Sequence, residues 1–85
     1  MRHFTSPEFW KCYHQLPPEI QRQADKAFAL LKENPRHPSL RLKRKGCGWS
    51  ARVTCGYRAL AKERAEGLGW AWIGSHDEYE RLIAS

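Results

Sequence analysis

The chain has 85 residues, and 15 Lys and Arg against 9 Asp and Glu leave it at a formal charge of +6. That length supports one small core over residues 1–85 with no room for a second, and no apolar run approaches a bilayer span or a secretory leader, which points to a cytoplasmic protein without a membrane partner. Three cysteines, Cys12, Cys47 and Cys55, form no CxxC pair; the odd count fits a reducing compartment and argues against a disulfide framework or a thiolate metal site.

Ser6-Pro7-Glu8 reads as an N-cap, a proline at the first helical position and an acid in the first turn. Phe9, Trp10, Tyr13 and Leu16 follow at helical spacing until Pro17-Pro18 stops the helix. A second helix starts near Pro18-Glu19, with Ile20, Ala24, Ala27, Phe28 and Leu31 on one face, and Asn34-Pro35 ends it. The connector at residues 34–40 carries two prolines and is expected to be extended or turned.

The period then changes to two. Leu40 and Leu42 alternate with Arg41 and Lys43, which predicts a first strand, and Lys45-Gly46-Cys47-Gly48 turns the chain. Trp49, Ala51 and Val53 alternate with Ser50, Arg52 and Thr54 in a second strand, and Cys55-Gly56 is a hairpin signal. A third strand covers residues 57–63, and residues 63–69 read as a polar loop. Trp70 to Ile73 form a fourth strand, apolar on both faces and so central, which Gly74 ends. Ser75 followed three residues later by Glu78 is a capping box, opening a short helix at His76 that carries Tyr79, Leu82 and Ile83 toward the core. The predicted fold class is α+β: two N-terminal helices packed on a curved antiparallel sheet of three to four strands, with a short C-terminal helix. Phe9, Trp10, Phe28, Trp49 and Trp70 are expected in the core, with Trp72 and Tyr57 as candidates for base stacking, and His3, His14 and His37 on the surface.

The charge is uneven: residues 41–52 hold five basic side chains and no acid. A field of that sign favours a polyanion or an acidic protein. If the polar strand faces coincide, Lys43, Arg52 and Arg58 meet on one surface, with Arg41, Lys45 and Lys62 extending it. The capped helix can then bring His76 and Tyr79 beside them. Cations with one imidazole and one phenol suit cleavage of an RNA phosphodiester: arginine forks stabilise the charge of a phosphorane, and a histidine titrating near neutrality moves a proton. No metal or other cofactor is called for, since no carboxylate cluster is present to hold one. The same cations would also bind uncleaved nucleic acid, and composition alone does not separate the two.

The stretch at residues 48–63, with Trp49-Ser50, Arg52 and Gly56-Tyr57-Arg58, resembles the central hairpin of the RelE/ParE superfamily of bacterial toxins, in particular its YoeB-, HigB- and RelE-like members. Residues 16–44 resemble the helical hairpin that precedes it, and residues 72–79 the last strand and C-terminal corner. The resemblance implies a monomeric toxin of a type II toxin–antitoxin system that assembles with a cognate acidic antitoxin. RelE-like activity would be endoribonuclease cleavage of mRNA, including on the ribosome; the alternatives are ParE-like, non-catalytic inhibition of DNA gyrase and an inactive RNA-binding member of the fold. It assigns catalytic roles to Arg52, Arg58, His76 and Tyr79, and RNA binding falls to Arg41, Lys43, Lys45 and Lys62. Two departures stand out. The glutamate that serves some members as general base has no counterpart at Pro38-Ser39-Leu40, and residues 1–5 leave little room for the usual first strand.

Overall fold

The computed structural model describes residues 2–45 and 48–84, the side chains of Lys45 and Ala84 excepted. Its elements are β1 (Arg2–Thr5), α1 (Pro7–His14), α2 (Pro18–Glu33), a 3₁₀ turn (Pro38–Leu40), β2 (Lys43–Lys45), β3 (Gly48–Thr54), β4 (Tyr57–Arg64), β5 (Gly67–Ser75) and α3 (His76–Ala84). All the strands belong to one sheet in the order β1-β5-β4-β3-β2. The α+β class holds, with five strands instead of three to four, and the sheet is mixed: β1 runs parallel to β5, from Arg2 opposite Gly67 to Thr5 opposite Trp70. The expectation that residues 1–5 are too few for a strand fails because β5 is long enough to template them.

The helix signals act as read. Ser6 Oγ accepts from the Phe9 N–H at 3.2 Å and caps α1. Gln21 Nε2 donates to the carbonyls of Tyr13 (3.2 Å) and Leu16 (3.1 Å), satisfying groups that the end of α1 leaves open. Tyr13 O–H donates to Asp25 Oδ1 at 2.8 Å, which ties α1 to α2 and raises the phenol above its ordinary pKa.

Leu40 does not begin a strand. It is buried in the 3₁₀ turn, and Arg41 follows in the left-handed region at φ 45°. Only from Lys43 does the chain pair with β3, and the turn expected after Lys45 lies at Gly46 and Cys47, outside the described residues. The predicted loop at residues 63–69 is also absent. β4 and β5 run on to Arg64 opposite Gly67, so a two-residue turn joins them. Gly67 is required there: its φ is 151°, and a Cβ would overlap the carbonyl of Arg2 on β1.

One irregularity decides which side chains face the helices. Leu60 pairs with Trp72 and Ala61 with Trp70, leaving Ala71 as a bulge in β5. Trp70 and Ile73 thereby both face the core, although three apart, and Trp72 turns to the opposite face with Leu60 and Arg58. The core gathers Ala51, Ala59, Ala61, Trp70 and Ile73 from the sheet with Phe9, Leu16, Ala24, Leu31 and Leu40. Alanines at the sheet centre leave room for the large side chains above them. Two expectations are corrected here. Trp10 is 42% exposed, its Nε1–H donating to Thr5 Oγ1 at 2.9 Å, and Leu82 and Ile83 lie outside the core at 47% and 41% exposure. Tyr79 is the α3 side chain that is buried. Among the described residues no helix is long and apolar enough to cross a membrane.

His3 is likewise not a plain surface residue. Its Nδ1 accepts from Trp70 Nε1–H at 3.2 Å, and its ring contacts Phe28. Burial first, then positive charge including that of Lys32, pushes the imidazole below its ordinary range. The folded state therefore binds the proton less readily than the unfolded chain, so stability is full above about pH 6.5 and declines as pH falls through the lowered folded-state value. His3→Gln should flatten this part of the pH dependence. Melting temperatures at pH 7.5 and pH 5.0 for both proteins check it, and equal pH dependences would refute the role.

Candidate active site

The sheet face turned away from α1 and α2 holds most of the predicted site. Arg52 on β3 lies directly opposite Arg58 on β4, and Ser50 lies opposite both Lys43 and Leu60. Directly paired residues share a face, so Lys43, Ser50, Arg52, Arg58 and Leu60 project together. Lys62 continues the β4 row, two residues beyond Leu60 and opposite Gly48. Lys43 and Lys62 are exposed. Arg41 is exposed as well, but it caps the 3₁₀ turn and is not in a strand row. Lys45 joins only through its backbone, since its side chain lies outside the described residues.

The centre of this face is a column of contacts. Ser50 is fully buried at 0% exposure. Arg58 Nη2 donates to its Oγ at 3.0 Å, and the Tyr79 hydroxyl lies 3.4 Å from the same oxygen. The Arg58 guanidinium carbon sits 5.0 Å from the Tyr79 ring centroid, a cation–π contact. The His76 ring in turn stacks on Tyr79, with centroids 5.9 Å apart and planes 30° off parallel. Tyr79, 4% exposed, is thus the surface that Arg58 and His76 share. Arg58 Nε is buried without a hydrogen-bond partner among the described residues. On β5, Gly74 stands opposite Arg58, and a Cβ there would meet Trp72 Cζ2 at 2.5 Å. The missing side chain is what admits the indole beside the arginine row.

The C-terminal corner is built by the capping box that the spacing announced. Glu78 N–H donates to Ser75 Oγ at 3.2 Å, and Ser75 N–H reaches Glu78 Oε1 at 3.4 Å. A further bond was not visible in the spacing: His76 N–H donates to the Gly56 carbonyl at 2.8 Å, which fastens α3 to the β3–β4 turn. His76 is connected to Arg58 through Tyr79. Its own Nε2 lies 3.0 Å from Glu80 Oε1, so Glu80 is the carboxylate at the imidazole. Ser50 and Glu80 are the two residues that the sequence reading missed at this site. The i, i+4 spacing of His76 and Glu80 was a usable signal; for Ser50 the only signal was its place beside Arg52 in the strand motif.

A second polar cluster lies at the β2 edge. Arg44 Nη2 is 3.0 Å from Glu63 Oε2, Trp49 Nε1–H donates to Glu63 Oε1 at 3.4 Å, and the Arg44 guanidinium lies 5.7 Å from the Trp49 ring. It fastens a three-residue edge strand to β3 and β4. Cys12 and Cys55 are free thiols. Among the described residues no group of three or more His, Cys, Asp or Glu is placed to hold a metal ion.

The family model described as the ParE-like toxin domain matches residues 18–81. Among solved structures, YafQ from Escherichia coli strain BL21(DE3) superposes with a TM-score of 0.73 at 14% identity, over 92% of this chain and 96% of that one. A chain of the RelB–RelE antitoxin–toxin complex from Methanococcus jannaschii gives 0.67 at 12% identity, over 93% and 96%. The YoeB/ParE toxin from Agrobacterium tumefaciens gives 0.66 at 16% identity, over 89% and 99%. At these identities the likeness is one of fold. Comparison with curated protein sequences finds no match.

Because the cap fixes the start of α3 and Tyr79 alone is buried among its described side chains, Ser75→Ala should lower stability by about 1 kcal/mol. Thermal or urea unfolding measures it. A variant as stable as the parent would show that the Gly56 bond and Tyr79 hold the helix without the box.

Proposed function

This chain belongs to the ParE-like toxin-domain family, and on that premise we propose that it is the toxin of a toxin–antitoxin pair, a metal-independent endoribonuclease that cleaves mRNA. The observation that carries the reading is the column on Tyr79: a guanidinium against its ring and an imidazole stacked on it. In the proposed reaction the RNA 2′-oxygen attacks the adjacent phosphorus while its proton passes to a base. The bond from phosphorus to the 5′-oxygen breaks, and that oxygen takes up a proton. The products are a 2′,3′-cyclic phosphate and a 5′-hydroxyl. Arg58, with Arg52 opposite it, stabilises the negative charge of the phosphorane. His76 is the proton-transfer group; Glu80 holds Nε2, which leaves Nδ1 to face the RNA. Tyr79, with its hydroxyl turned inward to Ser50, serves as the platform for both. Lys43, Lys62, Arg41 and Lys45 supply attraction for the backbone.

The same cationic face is the surface for an acidic antitoxin, and the two ligands would compete for it. A ParE-like reading, inhibition of DNA gyrase without RNA chemistry, is favoured by the description of the matching family model. Primer extension on mRNA after induction in a bacterial host, beside a gyrase supercoiling assay, separates them: new 5′ ends within coding regions support the ribonuclease, and blocked supercoiling with intact transcripts supports the alternative.

Two variants test the residue roles. Arg58→Ala should slow cleavage on the order of a hundredfold or more and relieve growth inhibition, as expected for loss of one preorganised donor. His76→Gln should reduce cleavage strongly while RNA and antitoxin binding persist. If His76→Gln cleaves like the parent, the histidine is a helix residue and no more.

A further inference from the structure

The Ser50 hydroxyl is a small polar group in a place where strands ordinarily put an apolar or an exposed side chain. It has no access to solvent, at 0% exposure, so its partners must be protein. Those partners are Arg58 Nη2 at 3.0 Å and the Tyr79 hydroxyl at 3.4 Å. A serine oxygen has two acceptor lone pairs, and the two donors that converge on it can occupy both. The consequence falls on Arg58. Ser50 binds one edge of its guanidinium, and the Tyr79 ring covers a face at 5.0 Å. Nε is buried, while Nη1, which makes no hydrogen bond among the described residues, is not among the buried donors left unpaired. The side of the fork away from Ser50 is therefore the side that remains for a ligand.

We propose that Ser50 is a positioning residue, which through Nη2 sets the rotation of the Arg58 guanidinium about its side chain and so aims the opposite edge at the phosphate of the substrate. The inference rests on the ribonuclease reading and adds to it a group that never touches RNA. An arginine on a twisted sheet has several rotamers and a planar fork whose value lies in its orientation. A buried hydroxyl that binds one edge removes that freedom before the substrate arrives, so the ordering is not required at the transition state. Tyr79 contributes the stacking face, but a ring face alone permits the guanidinium to turn in its own plane. The bond to Ser50 is the contact that stops this turning.

Ser50→Cys is the substitution of choice. The thiol fills nearly the same volume at a site without spare room but is a weak acceptor. Two measurements are made on the folded variant, its melting curve confirming that it is folded. The first is the ¹H–¹⁵N spectrum of the arginine side chains, in which Arg58 is assigned by its disappearance in Arg58→Lys. In the parent, Nη2 held by Ser50 should give a resolved, slowly exchanging signal; in Ser50→Cys this signal should merge with those of freely rotating arginines. The second is single-turnover cleavage of an mRNA on programmed ribosomes, where the rate should fall about tenfold while mRNA binding changes less than twofold, as misdirection of one catalytic group does. A parental cleavage rate, or an Arg58 signal unaltered by the substitution, overturns the proposal. Should the parent itself fail to cleave, the ribonuclease reading falls, and the spectrum still decides whether Ser50 orients Arg58. Should Ser50→Cys not fold, Ser50→Ala, which deletes the acceptor with little change of volume, takes its place: the Nη2 signal should again merge with those of freely rotating arginines and the rate fall about tenfold, and a parental signal or rate would overturn the proposal.

Discussion

A guanidinium partly enclosed by protein has five N–H groups to satisfy and a charge that it cannot lose. Around Arg58 this constraint shapes three elements at once. β3 must offer a hydroxyl below the arginine, and Ser50 does, diagonally across from it in the register. β5 must offer no side chain opposite it, and Gly74 stands there with the Trp72 indole over the gap. α3 must lay an aromatic ring against it, and Tyr79 is its buried side chain. Changing any one of these leaves a buried donor unpaired or a void beside a charge, and both are costly. Nε is already buried without a partner among the described residues, so the enclosure leaves one donor of the guanidinium unsatisfied.

The terminal helix depends on that enclosure. Nine residues are too few for a stable isolated helix, so tertiary contacts must hold it. They include the Tyr79 side chain and the bond from His76 N–H to the Gly56 carbonyl, and the capping box fixes the helix start locally. Leu82 and Ile83 remain exposed on the same helix. The stacked imidazole and the arginine are therefore set by the residue that anchors the helix, which couples helix docking to the geometry of the site.

The opposite edge of the sheet solves a different problem. β5 carries the core tryptophan and would end the sheet if β1 were absent. β1 covers its edge with a parallel ladder, Gly67 gives the two strands clearance, and His3 accepts from Trp70. Ser6 N–H donates to the Trp70 carbonyl at 3.0 Å, so the same pairing leads directly into the α1 cap. The β2 edge is blunted by its shortness, its lysines and the Arg44–Glu63–Trp49 cluster.

By itself the sequence determined those features whose causes are local. Ser6-Pro7, Pro17-Pro18, Cys55-Gly56 and the Ser75–Glu78 box act within a few residues of themselves, and the structure places element ends where they predict. The rows containing Arg52, Arg58 and Lys62 were legible for the same reason, since alternation along a strand is a local property. Tertiary structure alone decided what depends on partners remote in sequence. β1 exists because β5 templates it 65 residues further on, from Arg2 to Gly67. The bulge at Ala71 turns Trp72 out and Ile73 in, and nothing in the alternation of apolar residues distinguishes that register from an unbroken one, because a one-residue slip exchanges the faces without changing the pattern. Ser50 gained its meaning only when β4 and α3 brought Arg58 and Tyr79 to it from 8 and 29 residues away: a hydroxyl has no address in a sequence until the fold supplies its donors.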